Sequence, residues 1–490
     1  MLKIRSFIFV GFLFLNSIAF SQLGNLATQQ VGTEGLLMGG ALVAAESNNA
    51  GLFYNPASIS TSSLFSFSFN TSVYRMQFLN FQDAFGPDTE FKLSSSRFES
   101  PFFSMMLPIK NKQDVKIAFG TFSRFNVDYN FFNRIVVDDP YPELGHSSGV
   151  YEGDYSYSIK SSEQWIVFDA SKRLNDKFLV GASAIVAIRS FTYITKTDAS
   201  YTYIDEIGQD AINSNFRTEI NAYMYDYKLL FKFGGIYKMD DKNRFGLTIT
   251  TPSLSILNNG RNFRSIEQTN IDDLLDDPEL KEKYKDFKVS NFGSGLKAQY
   301  KSPFSIGIGY DRHINDDLIS FTVDFVNKIN PYTLIDGEGE TEELINTADS
   351  SYSIGSFLDL TFGQRAIVNF SVGYKRELNE KLLLMLGFRT NFSATKDVDY
   401  TQLEDLKSVT DIVINQYHLS GGFTFTFLKN RFILGTDIGF SFGRDNDNSV
   451  NFSEPLILND QNIPLRGDIE PIMKQSIVSL GFVFGYSFVF

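Results

Sequence analysis

In Ser476-Ile477-Val478-Ser479-Leu480-Gly481-Phe482-Val483-Phe484-Gly485-Tyr486-Ser487-Phe488-Val489-Phe490, large apolar residues recur at every second position. Val478, Leu480, Phe482, Phe484, Tyr486, Phe488 and Phe490 share one side. Ile477, Ser479, Gly481, Val483, Gly485, Ser487 and Val489 share the other. Successive side chains of a strand point to opposite faces, so this is a strand with one broad apolar face and one mostly narrow face. Phe432, Leu434, Ile438, Phe440 and Phe442 repeat the pattern against Gly435, Asp437, Gly439, Ser441 and Gly443. Val368, Phe370, Val372 and Tyr374 do so again, as do Ile319, Phe321, Val323 and Phe325. For any one of these strands, a soluble sandwich with its apolar face turned inward fits equally well.

The length and spacing of the strands argue against a sandwich. Many alternating segments run 11 to 20 residues, whereas an ordinary strand has about 5–6. Fourteen strands fit, near 61–81, 98–109, 113–130, 155–174, 176–197, 219–239, 242–252, 303–313, 317–330, 364–377, 380–397, 411–428, 430–444 and 474–490. The links at 110–112, 175, 240–241, 314–316, 378–379 and 429 are short, and every link between them is long. Strict alternation puts all tight turns on one side, which is the plan of a bacterial outer-membrane barrel. A sheet in hydrocarbon must close, because an open edge has no water to bond. The expected fold is an all-β, 14-stranded antiparallel transmembrane β-barrel, a monomer with no open edge and outer-membrane lipid around it.

Composition narrows the chemistry. The 490 residues include 50 Phe, 23 Tyr, one Trp, three His and no Cys, with a net charge of −13. The absence of cysteine excludes disulfides, thiolate metal sites and a cysteine nucleophile. An acidic chain without basic runs excludes nucleic acid as a partner. Gly439-Phe440-Ser441-Phe442-Gly443 matches G-x-S-x-G. It lies inside an alternating strand, not at the strand–turn–helix junction that a nucleophile elbow needs. Acidic clusters at 138–139, 272–277, 336–343 and 445–447 lack Ca²⁺-loop spacing. His146, His313 and His418 are far apart. No catalytic residues, metal site or cofactor are expected.

The chain divides into three parts. Residues 1–21 have an export signal's basic start (Lys3, Arg5), apolar run (Phe7–Leu15) and small residues Ala19 and Ser21. Residues 61–490 are the barrel. Between them, 22–60 are glycine-rich and lack period-2 alternation. Leu36, Leu37, Met38, Leu42, Val43, Leu52, Phe53 and Tyr54 there need burial, and the nearest place is the barrel lumen. An N-terminal plug is therefore expected. Small inward positions on the strands also carry charge: Arg189, Lys228, Lys232, Arg365, Lys375, Arg389, Asp324 and Asp437.

Met38-Gly39-Gly40-Ala41, followed by Asn49-Ala50-Gly51-Leu52-Phe53-Tyr54-Asn55-Pro56-Ala57, resembles the start of the FadL family of outer-membrane transporters for long-chain fatty acids and other hydrophobic compounds. Ser302-Pro303-Phe304-Ser305-Ile306-Gly307-Ile308-Gly309-Tyr310 resembles that family's proline-led eighth strand. The resemblance implies a hatch marked by Gly39, Gly40, Asn55, Pro56 and Ala57. It implies passive uptake of hydrophobic small molecules, with hatch movement and a sideways exit at an inward kink in strand three. Here that strand offers only Gly120 as a soft point.

Two outer loops look partly helical, 271–287 capped by Asn270, and 204–212. The resemblance makes Leu274, Leu280, Tyr284 and Phe287 a candidate hydrophobic groove. An apolar stripe of this kind equally suits packing on the barrel rim. Lys375 and Arg389 are candidate contacts for an anionic headgroup. Likeness to outer-membrane barrels in general makes Phe490 an insertion signal for the barrel-assembly machinery. A related branch serves protein secretion, so a secretion component is the alternative reading. An open porin and an outer-membrane lipase fit less well.

Overall fold

The computed structural model describes residues 24–27, 30–45, 50–61, 66–70, 73–98, 102–109, 112–145, 148–204, 211–337, 357–395, 408–409, 413–427, 430–448, 450–460 and 462–489. The expected export signal, the interior of the 204–212 segment and Phe490 lie outside these residues.

Nearly all regular structure is antiparallel strand. β1 (Ser66–Asn70), β2 (Val73–Gln82), β3 (Glu90–Phe98) and β4 (Phe102–Ile109) are short. Four long strands follow: β5 (Lys112–Asp138), β6 (Gly149–Arg173), β7 (Phe178–Ile204) and β8 (Ala211–Lys238). Then come β9 (Asn243–Thr250), β10 (Leu254–Thr269), β11 (Phe287–Ala298), β12 (Ser305–Ile314), β13 (Asp317–Val326) and β14 (Ile329–Asp336). β15 (Leu360–Gln364), β16 (Ile367–Asn379), β17 (Leu382–Asn391), β18 (Gln416–Phe427), β19 (Asn430–Phe440), β20 (Arg444–Asn446) and β21 (Met473–Val489) complete the sheet. Phe482 of β21 faces Thr436 of β19 on one edge and Tyr74 of β2 on the other. β1 also pairs with β21 and continues to β4 and β5. The sheet closes on itself.

The described residues form 21 strands, more than the fourteen expected, because some expected strands are interrupted and because β3, β10, β11 and most of β14 and β15 lie where loops were expected. Breaks fall at 251–253, 299–304, 327–328, 365–366 and 441–443. Pro252 and Pro303 account for two of them, since proline has no N–H to give the ladder. The long strands also run further than their alternation suggested. Residues 253–302, read as a loop, are largely strand. The helix expected over 271–287 is only α3 (Pro278–Lys283), counting α1 as Thr33–Leu37 and α2 as Gly51–Tyr54. Its cap is Asp277, whose carboxylate accepts the Glu279 N–H at 2.8 Å, and not Asn270. Pro278 sits at the helix start, where its missing N–H costs nothing.

The buried face of the sheet is the polar one. Ser320, Thr322, Asn369, Ser371, Arg389, His418, Ser420, Asp437 and Ser479 are buried. On the opposite face Phe321 is 46% exposed, Leu419 51% and Phe482 46%. A soluble sandwich has the reverse polarity, so the inside-out arrangement excludes it.

Residues 31–45 and 50–60 pack against that polar inner face. Leu36, Leu37, Met38 and Leu42 cluster with Leu383, Met385, Ile433 and Val483. The 3-10 turn Pro56–Thr61 lies on β6, β7 and β8. Close approach requires glycine in the wall: a Cβ at Gly246 would sit 2.1 Å from the Val43 carbonyl oxygen. Gly246→Val is expected to push this segment off the wall. Limited proteolysis should then cut near residues 40–50 in the variant and not in the parent; equal resistance would refute the contact.

Candidate functional site

Three charge clusters line the inside of the ring. In the first, Asp437 of β19 accepts from Arg75 at 2.8 Å and from Arg389 at 2.9 and 3.2 Å. His418 Nδ1 lies 3.2 Å from the same carboxylate. All four side chains are buried, so one carboxylate joins β2, β17 and β18 to β19.

In the second cluster, Glu163 of β6 accepts from Lys228 at 2.6 Å and from the Trp165 indole N–H at 2.7 Å. Arg189 Nη1 is 3.4 Å from Glu163, and its guanidinium lies 3.9 Å from the Tyr300 ring and 4.4 Å from that of Phe125. Arg189 Nε and Nη2 have no hydrogen-bond partner among the described residues. The third cluster ties α1 to the wall through Lys375 and Glu34 at 2.8 Å. Burial opposes ionisation of Glu34, but Lys375 and Arg431 outweigh it and hold its carboxyl below the usual range.

The Asn55-Pro56-Ala57 motif is a joint between segment and wall. The Asn55 amide donates to the Val43 carbonyl at 2.6 Å and to the Gly235 carbonyl at 3.2 Å. Its Oδ1 accepts the Ala57 N–H at 3.0 Å. Pro56 starts the 3-10 turn, and Ala57 packs on Leu179 and Ile236. Gly39 and Gly40 turn the chain after α1 with φ of +63° and +85°, which L side chains rarely adopt.

A cavity of about 170 Å³ lies between this segment and the wall. Leu26, Gln30, Val43, Phe53 and Tyr54 face it from the N-terminal side. Arg124, Glu163, Trp165, Arg189 and Lys232 face it from β5 to β8, and Tyr300, Pro303, Asp324, Gln364 and Asn369 from the opposite wall. The Phe53 ring lies 5.2 Å from the Arg124 guanidinium and 5.1 Å from Lys232 Nζ. Lys232 also donates to the Phe53 carbonyl, and Arg124 to that of Leu26.

Sequence reasoning missed Arg124 and Trp165. A bulge at Ser123–Phe125 turns Arg124 inward. The signal is a change of parity along β5, from buried Ala118 and Phe122 to buried Phe125, Val127 and Tyr129.

The residues singled out from sequence fall in three places. Lys375 and Arg389 face inward as expected, but neither lines this cavity, because Glu34 and Asp437 hold them. Leu274 and Tyr284 are buried, with Leu280 packed on the same aromatic cluster high in the ring. Phe287 instead packs on Phe216, Ile266 and Phe357. The four are not one open stripe. Ser441 of the G-x-S-x-G match accepts the Ile477 N–H at 2.8 Å within the wall.

No family model matches the sequence. No curated protein matches it either. Solved structures do. A FadL homologue of Pseudomonas aeruginosa aligns with a TM-score of 0.58 at 10% identity, over 96% of this chain and 99% of that one. The chain has the FadL-type fold. The Pseudomonas putida toluene transporter TodX aligns at 0.56 and 14% identity, over 96% of this chain and all of that one. The Ralstonia pickettii toluene transporter TbuX aligns at 0.52 and 11%, over 95% of this chain and all of that one. Within this FadL-type fold, β5 keeps its pairing with β6 through the Arg124 bulge. On its other side β5 pairs with β4 only as far as Thr121, and no described pairing joins its upper half to β3.

Asp437 holds two buried arginines. Asp437→Ala is expected to destabilise the fold by about 3–5 kcal/mol, since each cation is left without its partner. Thermal melting in detergent measures the loss. A change below about 1 kcal/mol, the range of a typical surface pair, would show that the cluster is solvated.

Proposed function

We propose that this chain is a fourteen-stave bacterial outer-membrane barrel that passes hydrophobic small molecules inward, with its N-terminal segment as plug and hatch. The observation that carries the reading is the cavity between that segment and the inner wall of a ring whose outer face is apolar. Taking the interrupted neighbours β1–β2, β3–β4, β9–β10, β11–β12, β13–β14, β15–β16 and β19–β20 as one stave each returns fourteen. Aromatic pairs border the apolar face near the tight turns: Phe178 with Tyr237 at 4.8 Å, Phe245 with Tyr310 at 5.0 Å and Phe432 with Tyr486 at 5.3 Å. Such girdles mark the two interfaces of a barrel in lipid.

The cavity bears on the solute. Its volume of about 170 Å³ is close to that of a cavity of about 150 Å³ known to hold benzene. A single aromatic ring or a short stretch of acyl chain fits. A whole long-chain fatty acid requires the hatch to shift. Likeness to the toluene transporters TodX and TbuX favours small aromatic compounds, with fatty acids as the larger class. Hatch movement would part Lys375 from Glu34 and free its ammonium for an anionic headgroup; Arg389 would need release from Asp437. Capture by Leu274, Leu280, Tyr284 and Phe287 likewise requires their loop to lift from the aromatic cluster beneath. No energy source is needed, because a concentration gradient drives the flux.

Trp165 is the sole tryptophan and lines the cavity, so bound heavy-atom solutes report on themselves. Saturable quenching of its emission by 4-bromotoluene or 9,10-dibromostearate is expected. Emission unaffected by either compound would sink the reading. The lipid assignment has its own check. Phe321→Arg is expected to cost about 2–4 kcal/mol in reversible unfolding from a bilayer, and no cost would place that face in water.

A further inference from the structure

Arg189 stands between two acids and is held fully by neither. On β7 it is in register with Glu163 of β6 on one side and Asp226 of β8 on the other. Glu163 turns one oxygen to Lys228 at 2.6 Å and the other to the Trp165 indole at 2.7 Å, while Arg189 Nη1 stays at 3.4 Å. Asp226 accepts the Ser255 hydroxyl at 2.6 Å with one oxygen and the Tyr300 N–H at 2.8 Å with the other. Both carboxylates are thus aimed elsewhere, and Arg189 Nε and Nη2 have no hydrogen-bond partner among the described residues.

The neighbouring cations are committed. Lys228 donates to the Ser302 hydroxyl at 2.9 Å as well as to Glu163. Lys232 and Arg124 donate to backbone carbonyls of the N-terminal segment. Arg189 instead is 3% exposed, faces the cavity, and has its guanidinium between the rings of Tyr300 and Phe125 at 3.9 and 4.4 Å. Rings on either side of a planar fork fix its orientation. A buried donor calls for an acceptor, and the space that this one borders is the cavity. On the opposite wall Gln364 is equally buried, and its Oε1 has no partner among the described residues. A donor on one wall and an acceptor on the other suit a hydroxyl group, which can use both.

Charge decides against an anion. Around the cavity the cations Arg124, Arg189, Lys228 and Lys232 interact with the acids Glu163, Asp169, Asp226 and Asp324, four against four. The Lys301 ammonium lies 4.4 Å from the Tyr332 ring. A carboxylate entering here would be a surplus buried charge, whereas a neutral oxygen adds none.

We propose that the cavity is a binding site for neutral hydroxylated aromatic compounds of the phenol class, selected over plain hydrocarbons by Arg189 Nε and Nη2. This rests on the transport reading above. The ring lies among Phe53, Phe125 and Trp165, and the hydroxyl oxygen accepts from Arg189. A site built to hydrogen-bond a solute oxygen discriminates against the analogue that lacks it, because its own polar groups are then left unpaired.

Trp165 shares the Glu163 carboxylate with Arg189, so its emission reports on the site. The probes are 4-bromophenol, 4-bromotoluene and 4-bromobenzoate, compared at pH 7, where a phenol keeps its proton and a benzoic acid does not. Binding constants from quenching are referred to the micelle-phase concentration of each compound, which removes differences in hydrophobicity. In the parent protein 4-bromophenol is expected to bind about tenfold tighter than 4-bromotoluene, and 4-bromobenzoate more weakly than the phenol. Arg189→Met is expected to narrow the phenol-to-toluene ratio about tenfold, and Gln364→Leu to narrow it less. Equal or tighter binding of 4-bromotoluene by the parent overturns the phenol site and leaves the transport reading standing. So does tighter binding of 4-bromobenzoate than of 4-bromophenol. A ratio that survives Arg189→Met overturns the role of Arg189. The two parent comparisons decide the matter even where a variant fails to fold. A parent quenched by none of the three overturns the transport reading itself.

Discussion

Every polar group on the inner wall of this ring must find a partner away from bulk water. A buried group that fails to do so costs about 1–3 kcal/mol, and more if charged. The wall meets this demand in two ways. Charges neutralise each other across staves, as Asp437 does for Arg75 and Arg389 and Glu163 does for Lys228. The N-terminal segment supplies further partners, with Glu34 meeting Lys375 and backbone carbonyls meeting Lys232 and Arg124. That segment is thus part of the electrostatic closure of the interior, not only a space-filler.

The same demand shapes the walls of the cavity. Phe53 and Trp165 bring apolar surface among cations, and the cations stay close by lying against those rings. Such contacts are worth about 0.5–2 kcal/mol each. They let one chamber accept an apolar ring without stranding the arginines and lysines around it. The stretch of wall between residues 254–258 and 299–302 follows the same logic. Where Pro252 and Pro303 weaken the ladder, Asp226, Asn258 and Lys228 satisfy the backbone and hydroxyl groups that neighbouring strands would otherwise have bonded.

Much of the wall was legible in the sequence, because two-residue periodicity survives wherever one face meets a uniform environment. Ser476–Tyr486 and the strands around Phe321, Phe370 and Leu434 show it for this reason. The inward placement of Arg189, Lys228 and Asp437 followed from the same parity. What escaped were departures from parity. The Arg124 bulge adds one residue and swaps faces, so a reader who keeps strict alternation loses a cavity residue. Residues 254–269 and 287–298 look like loop in the sequence because they are polar and flanked by Pro252, Pro278 and Pro303, although they continue the wall. Pairing was the least legible part. Sequence shows that Lys375 and Arg389 face inward, but not that Glu34 and Asp437 already hold them.

Ring closure has a further consequence for how the molecule is made. Residues 66–69 and 73–82 pair with residues 486–489 and 474–483, so the final seal joins segments separated by nearly the whole described chain. Contacts this remote form slowly, since loop-closure entropy is lost before any bond repays it. Until that step, every partly folded form carries two open strand edges with apolar side chains along them, the combination that drives edge-to-edge aggregation. Shielding those edges during assembly is thus a kinetic requirement written into the topology, separate from whatever stabilises the finished ring.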